Sequence, residues 1–149
     1  MGMKTAPTIT LGRWQTLHQA AQFIRTEVFV KEQGIAPEDE WDADDATALH
    51  AVLFDVTGHP LGNARLLQPS INVAKVGRMA VLKEARGHGY GARLLEALVS
   101  EARRRGDKEV RLSAQRSAEG FYAAYGFSIV GEPFDEVGIP HVEMRLSLV

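Results

Sequence analysis

One segment constrains this chain more than any other. Arg86-Gly87-His88-Gly89-Tyr90-Gly91-Ala92 sets glycines at alternate positions between a strand pattern and a helix pattern. Before it, Lys75–Val81 reads as a strand. After it, Leu94, Leu95, Leu98, Val99 and Ala102 fall on one helical stripe that Gly106 closes. Glycine lets backbone N–H groups converge without interference from Cβ atoms. At the start of a helix those groups have no intrahelical acceptor, and the helix dipole adds positive potential. The segment therefore reads as an anion cradle suited to phosphate or pyrophosphate, the plain alternative being a glycine-rich turn. Gly87, Gly89 and Ala92 also fit the dinucleotide fingerprint G-x-G-x-x-A. Against that, the loop lies past the middle of the chain, and the next strand ends Ser113-Ala114-Gln115 with no acid to hold a ribose. The Walker pattern fails because no Gly-Lys-Ser/Thr follows.

The remaining periodicities give the order β-α-β-β-β-α-β-α-β-β. Thr8–Leu11 is an edge strand, and Trp14, Leu17, Ala21, Ile24 and Val28 predict a helix over Arg13–Val28. Gln33–Ala46 reads as a loop. His50–Asp55 and Gly62–Gln68 flank Thr57-Gly58-His59-Pro60 as a hairpin. Glu109–Ala114 is a strand, Ala118–Tyr125 a short helix, and Phe127–Val130 is extended. His141–Leu148 alternates, with Val142, Met144, Leu146 and Leu148 on one face. This is an α/β (α+β) sandwich with a mostly antiparallel first half, one domain over residues 1–149.

Composition removes competing chemistries. The 149 residues hold no cysteine, so disulfides, thiolate metal sites and a cysteine nucleophile are excluded. The five histidines show no HxxxH or HExxH spacing, and no metal is expected. A net charge of -2 argues against binding nucleic acid by bulk electrostatics, and Arg103-Arg104-Arg105 fits a helix C-terminus instead. No apolar run is long enough to span a bilayer and no leader pattern is visible, so a cytoplasmic location is expected.

Arg86-x-x-Gly89-x-Gly91 also resembles the Arg/Gln-x-x-Gly-x-Gly/Ala signature of the GNAT N-acetyltransferase superfamily. Val76-Gly77-Arg78-Met79-Ala80-Val81 looks like that family's fourth strand, and Phe121-Tyr122-Ala123-Ala124-Tyr125-Gly126-Phe127 like its FYxxxGF segment. Val28-Phe29-Val30-Lys31-Glu32-Gln33, then Asp42, Asp45 and His50, then Gly138-Ile139-Pro140-His141 with Met144, resemble the ElaA-like/YjcF-like branch. The resemblance implies a mixed central sheet splayed between strands 4 and 5 and flanked by helices, with acetyl-CoA as co-substrate. It implies that Arg86, Gly87, His88, Gly89, Tyr90, Gly91 and Ala92 hold the CoA pyrophosphate. It further implies that the backbone of Met79, Ala80 and Val81, with Gln115 and Tyr122, meets the rest of the cofactor.

On that reading a backbone N–H of Met79 polarises the thioester carbonyl. Tyr122 is the candidate proton donor to the departing thiolate; motif position favours it over Tyr125, which spacing alone would not. For the general base the candidates are Glu32, Glu136, Asp135 and His141, or a chain of water; Glu32 and His141 are carried forward. Without a cysteine, direct transfer is expected rather than an acyl-enzyme. Glu32–Asp45 holds seven acids and no Lys or Arg, whereas Lys83–Arg111 holds eight Lys/Arg against five Asp/Glu. The basic half suits CoA phosphates. The acidic half suggests a cationic acceptor, such as a polyamine, amino sugar, aminoglycoside or peptide amine, steered by charge. The alternative function is a non-catalytic acyl-CoA-binding or sensing module. A homodimer joined through the C-terminal strand completes the expectations.

Overall fold

The structure, a computed structural model, describes residues 6–149. Seven strands form one sheet in the order β1-β2-β3-β4-β5-β7-β6. Strands β1 (Thr8–Gly12), β2 (Leu49–Phe54), β3 (Pro60–Ser70) and β4 (Val73–Val81) make an antiparallel meander. Strand β5 (Glu109–Gln115) joins β4 in parallel, and β7 (Ile139–Ser147) lies between β5 and β6 (Ser128–Glu136). The β2–β3 hairpin closes on Asp55, whose carboxylate accepts N–H bonds from Thr57 and His59, both 2.9 Å.

Helix α3 (Tyr90–Arg104) covers one face of the sheet. Its apolar stripe, Leu94, Leu95, Leu98, Val99 and Ala102, is fully buried against Ala51, Leu53, Ala64, Leu66, Ala74 and Val76. The opposite face carries α1 (Trp14–Arg25), whose Leu17, Ala21 and Ile24 turn inward. The helix expected over Arg13–Val28 keeps α-helical winding only to Arg25 and continues as a π-helical segment, Thr26–Glu32. Gln33 N–H there reaches back five residues to Val28 O at 3.0 Å. β-Branched Thr26, Val28 and Val30 crowd an ordinary turn, and the wider winding lets adjacent Val28 and Phe29 both enter the core with Ala80 and Leu82.

The expected loop Gln33–Ala46 contains a short helix α2 (Pro37–Glu40), with proline at its first turn, and a 3₁₀ turn, Ala43–Ala46, that the Asp42 side chain caps on Asp44 N–H at 3.1 Å. Helix α4 (Glu119–Tyr125) leads into β6, which runs on to Glu136, beyond the extended Phe127–Val130 expected from periodicity. The C-terminal strand β7 is hydrogen-bonded on both sides and offers no free edge for pairing with a second copy; β1 and β6 are the edges.

Candidate active site

Strands β4 and β5 pair for only three residues: Val73 with Glu109, Ala74 with Val110 and Lys75 with Arg111. Beyond these the strands part, and a cleft of about 750 Å³ opens between Val76–Val81 and Leu112–Gln115. The π-helical segment supplies Val28 and Phe29 to its wall, α4 supplies Phe121 and Tyr122, and the β6–β7 arm supplies Glu136 and His141. A parting between parallel strands leaves backbone donors and acceptors facing a gap where an amide-bearing chain can add as an extra strand.

A bulge shapes the β4 wall. Asn63 lies opposite Ala80 and Arg65 opposite Gly77, so Arg78 and Met79 together face the single residue Ala64. Arg78 takes a left-handed conformation, φ 53°, unusual for a residue with a long side chain. The fully buried Asn63 donates from Nδ2 to Arg78 O at 2.8 Å.

At one end of the cleft stands the glycine loop. Gly87 and Gly89 have φ of 86° and 76°, and a Cβ on either would meet nothing within 4 Å, so backbone conformation rather than crowding calls for glycine. Gly89 caps α3. Met79, Ala80, Val81, Arg86, Gln115 and Tyr122 line the cleft; Gly87, His88, Gly89, Tyr90, Gly91 and Ala92 continue from Arg86 outside its walls. The loop's open N–H groups at a helix start fit a phosphate-bearing ligand.

Glu32 stands at this end too, away from the cleft walls. Its carboxylate grips Arg86 by two bonds of 2.7 Å, and Arg86 Nε also donates to Val81 O at 3.0 Å. The bond from Arg86 holds the Glu32 carboxyl below its usual range. A carboxylate whose proton affinity is lowered is a weaker base, and in this structure Glu32 stands as the partner of Arg86.

Tyr122 is buried between Phe121 and Phe127, ring centroids 4.9 and 5.9 Å away, and its hydroxyl, pushed up to about 12 by burial, stays protonated. Tyr125 instead bonds Glu96 on α3 and does not line the cleft. His141 of β7, opposite Gln115 of β5, is buried and lines the cleft. Its Nδ1 lies 2.7 Å from Ile139 O, which can only accept, so Nδ1 carries a proton. Nε2 lies 3.6 Å from a Glu136 carboxylate oxygen. Gln33 and Gln115 exchange carboxamide hydrogen bonds of 3.4 and 2.9 Å between the two arms.

The acidic loop is neutralised more than its sequence suggests. Arg25, Asp45, Arg65, Asp42, Arg78 and Glu40 form a closed ring of alternating charge. Arg25 meets Asp45 at 2.8 Å, Asp45 meets Arg65 at 2.8 Å, Arg65 meets Asp42 at 2.7 Å, Asp42 meets Arg78 at 3.1 Å and Arg78 meets Glu40 at 3.8 Å. A direct bond from Arg25 Nε to the Glu40 carboxylate closes it. With Glu32 on Arg86, four of the seven acids thus carry arginine partners, which corrects the reading of Glu32–Asp45 as one steering surface. The hydrogen bond from Arg65 is the main force holding the Asp42 carboxyl down to about 2. Burial pushes Glu40 up, and Arg25 does not fully offset it. Burial also depresses His50, whose Nε2 lies 2.9 Å from Asp45 O.

Arg25, Arg65, Arg78 and Asn63 escaped the sequence reading as site residues. A signal existed for two of them. Arg25 falls four residues after Ala21 on the apolar stripe of α1, and Arg65 interrupts Ala64-Arg65-Leu66; an arginine on a buried face requires partners.

Among the described residues no helix is long and apolar enough to cross a membrane, and no group of three or more His, Asp or Glu converges as a metal site.

Residues 18–148 match the family model for an acetyltransferase (GNAT) domain. The uncharacterised N-acetyltransferase YjcF of Bacillus subtilis is 35% identical over 125 residues, covering 83% of this chain and 88% of its own length. An acyl-CoA N-acyltransferase from Pseudomonas aeruginosa superposes with a TM-score of 0.84 at 34% identity over 94% of this chain and 99% of its own. ElaA of Escherichia coli gives a TM-score of 0.83 at 27% identity over 93% and 98% of the two chains.

Proposed function

The chain belongs to the GNAT acyl-CoA N-acyltransferase family, and from that premise we propose that it moves an acetyl group from acetyl-CoA directly to a primary amine. The observation that carries this reading is the parting of β4 from β5, which opens one cleft lined by a phenol and an imidazole beside the glycine loop.

The loop at Gly87–Ala92 holds the pyrophosphate, and the open β4 edge holds the pantetheine amides. Acetyl-CoA supplies the acyl group and a thiolate leaving group. Met79 N–H donates to the thioester oxygen as charge gathers there. His141 Nε2 takes the proton of the acceptor ammonium, and Glu136 balances the imidazolium. The freed amine forms the N–C bond as the C–S bond breaks. The electron pair leaves with sulfur, Tyr122 donates the proton that makes it a thiol, and the surplus proton of the new amide nitrogen restores the phenol. The acceptor is read as cationic because Asp39 and Asp44 border the cleft and, among the described residues, make no ion pair.

Thiol release from acetyl-CoA, measured across a panel of mono- and polyamines with Tyr122→Phe as control, tests the proposal. Release that depends on acceptor and collapses in Tyr122→Phe supports it. Saturable CoA binding with no release from any amine overturns it in favour of a binding or sensing module. Equal, salt-independent rates for neutral and polycationic amines would remove the cationic acceptor alone.

A further inference from the structure

The β4 bulge holds a residue pair in a conformation that nothing local in its sequence favours. Arg78 has no glycine or asparagine character, yet sits at φ 53°. Such a backbone persists only when its surroundings over-determine it. Two tethers do so here. The Arg78 guanidinium is held by Asp42 at 3.1 Å and by Glu40 O at 3.2 Å. The Arg78 carbonyl is held by Asn63 Nδ2 at 2.8 Å.

The second tether has a directional consequence. The Arg78–Met79 peptide is trans and planar, so its C=O and its N–H point opposite ways. Anchoring Arg78 O on Asn63, a residue of β3, therefore turns Met79 N–H away from β3. The side of β4 away from β3 is the side from which β5 has parted. We infer that Asn63 is a positioning residue for acyl transfer: by holding the Arg78 carbonyl, it aims Met79 N–H at the thioester oxygen in the cleft. This rests on the acyl-CoA reading above and assigns a role to a side chain that never touches the substrate.

The arrangement also accounts for a polar side chain with no exposure in the sheet. Packing alone would favour an apolar residue there: burying a carboxamide is unfavourable, and among the described residues Asn63 Oδ1 finds no hydrogen-bond partner. Asn63 spends its donor on the one carbonyl whose orientation sets the direction of the donor across the peptide.

The test uses acetyl-CoA labelled with ¹³C at the thioester carbonyl, so no acceptor need be known. Calorimetry first measures its binding to the wild-type protein, Asn63→Ala and Asn63→Leu. Infrared difference spectra then record the bound carbonyl stretch. The expected result is a shift to lower frequency in the wild type that is lost in both variants, with dissociation constants kept within about threefold. With any amine that supports turnover, kcat falls about 10- to 100-fold and KM for acetyl-CoA changes little, as for a weakened oxyanion donor.

A shift that survives in the variants, or none in the wild type, overturns the positioning role while leaving acyl-CoA binding intact. No saturable binding by the wild type overturns the acyl-CoA reading itself. Should neither variant fold, resonance measurements on the isotope-labelled wild type decide. A coupling across the hydrogen bond from Asn63 Nδ2 to the Arg78 carbonyl, with a downfield move of the Met79 amide on adding acetyl-CoA but not CoA, supports the role. The lack of either overturns it.

Discussion

Replacing Arg25 by methionine tests whether the charge ring holds the fold together. Arg25 is 1% exposed and makes four hydrogen bonds: one to the Glu40 carboxylate, one to Glu40 O at 3.1 Å, and two to Asp45 at 2.8 and 3.0 Å. Methionine fills comparable volume without charge, so the effect is electrostatic. The two carboxylates do not suffer equally. Asp45 keeps Arg65 at 2.8 Å, whereas Glu40 keeps only Arg78 at 3.8 Å. The ring passes from neutral to one net negative charge, and Glu40 carries the deficit.

Leaving one buried partner uncompensated costs about 3–5 kcal/mol, against a total stability of about 5–15 kcal/mol for a domain of this size. Glu40 can relieve part of this by taking a proton, since burial already pushes its carboxyl up. A carboxyl whose folded value exceeds its unfolded value binds more protons when folded, so the variant recovers stability as pH falls toward the unfolded value. The deficit should therefore be about 3–5 kcal/mol at pH 8 and shrink toward pH 5. Urea unfolding followed by tryptophan fluorescence measures it, and Trp14, whose ring lies 5.4 Å from the Arg25 guanidinium, reports on the site. Leu98→Ala serves as control: a cavity costing about 2–5 kcal/mol with no dependence on pH. A deficit below about 1 kcal/mol at pH 8, or one that stays constant to pH 5, refutes the reasoning.

Three shorter expectations accompany it. Asp42, held down to about 2, contributes stability above the ordinary carboxylate range that is lost as pH falls through about 2. Because its side chain is 35% exposed, screening trims the contribution to about 1–2 kcal/mol, and Asp42→Asn should flatten the acid limb of thermal midpoints between pH 5 and 2. Tyr122→Phe should lower kcat about 100-fold with little change in acetyl-CoA affinity. In the wild-type pH–kcat profile Tyr122 should cause no alkaline fall below about pH 10, because its hydroxyl is pushed up to about 12. Glu32→Gln frees Arg86 and should tighten CoA binding at low salt while leaving the pH profile of transfer unaltered; loss of the acidic limb would restore Glu32 as the base.

The parts of the site that were legible before the structure are those written locally. The glycine loop, the strand before it and the stripe after it are contiguous, and their conformations follow from φ freedom and period. Tyr122 was distinguished from Tyr125 by motif position, and the structure separates them physically: one faces the cleft, the other bonds Glu96. The Glu32–Arg86 pair was not legible because its members stand 54 positions apart. The charge ring was illegible for a related reason. Its pairs join residues 15, 20, 23, 36 and 38 positions apart, and no local pattern announces such partners. The bulge at Arg78 is flanked by Gly77, but the left-handed residue is the arginine itself, and its tethers lie in Asn63 on the neighbouring strand and in Asp42 beyond.

The insertion of β7 between β5 and β6 has a consequence for how the molecule comes into being. A ribosome delivers β1 to β4 in the order in which they pair, so the meander with its bulge and Asn63 can organise as it emerges. The second arm cannot. β6 finds its only neighbour in β7, which is synthesised after it, and β7 must thread its place beside β5 to bring His141 to the cleft. A nascent chain therefore holds the β4 wall of its cleft well before His141 can join it.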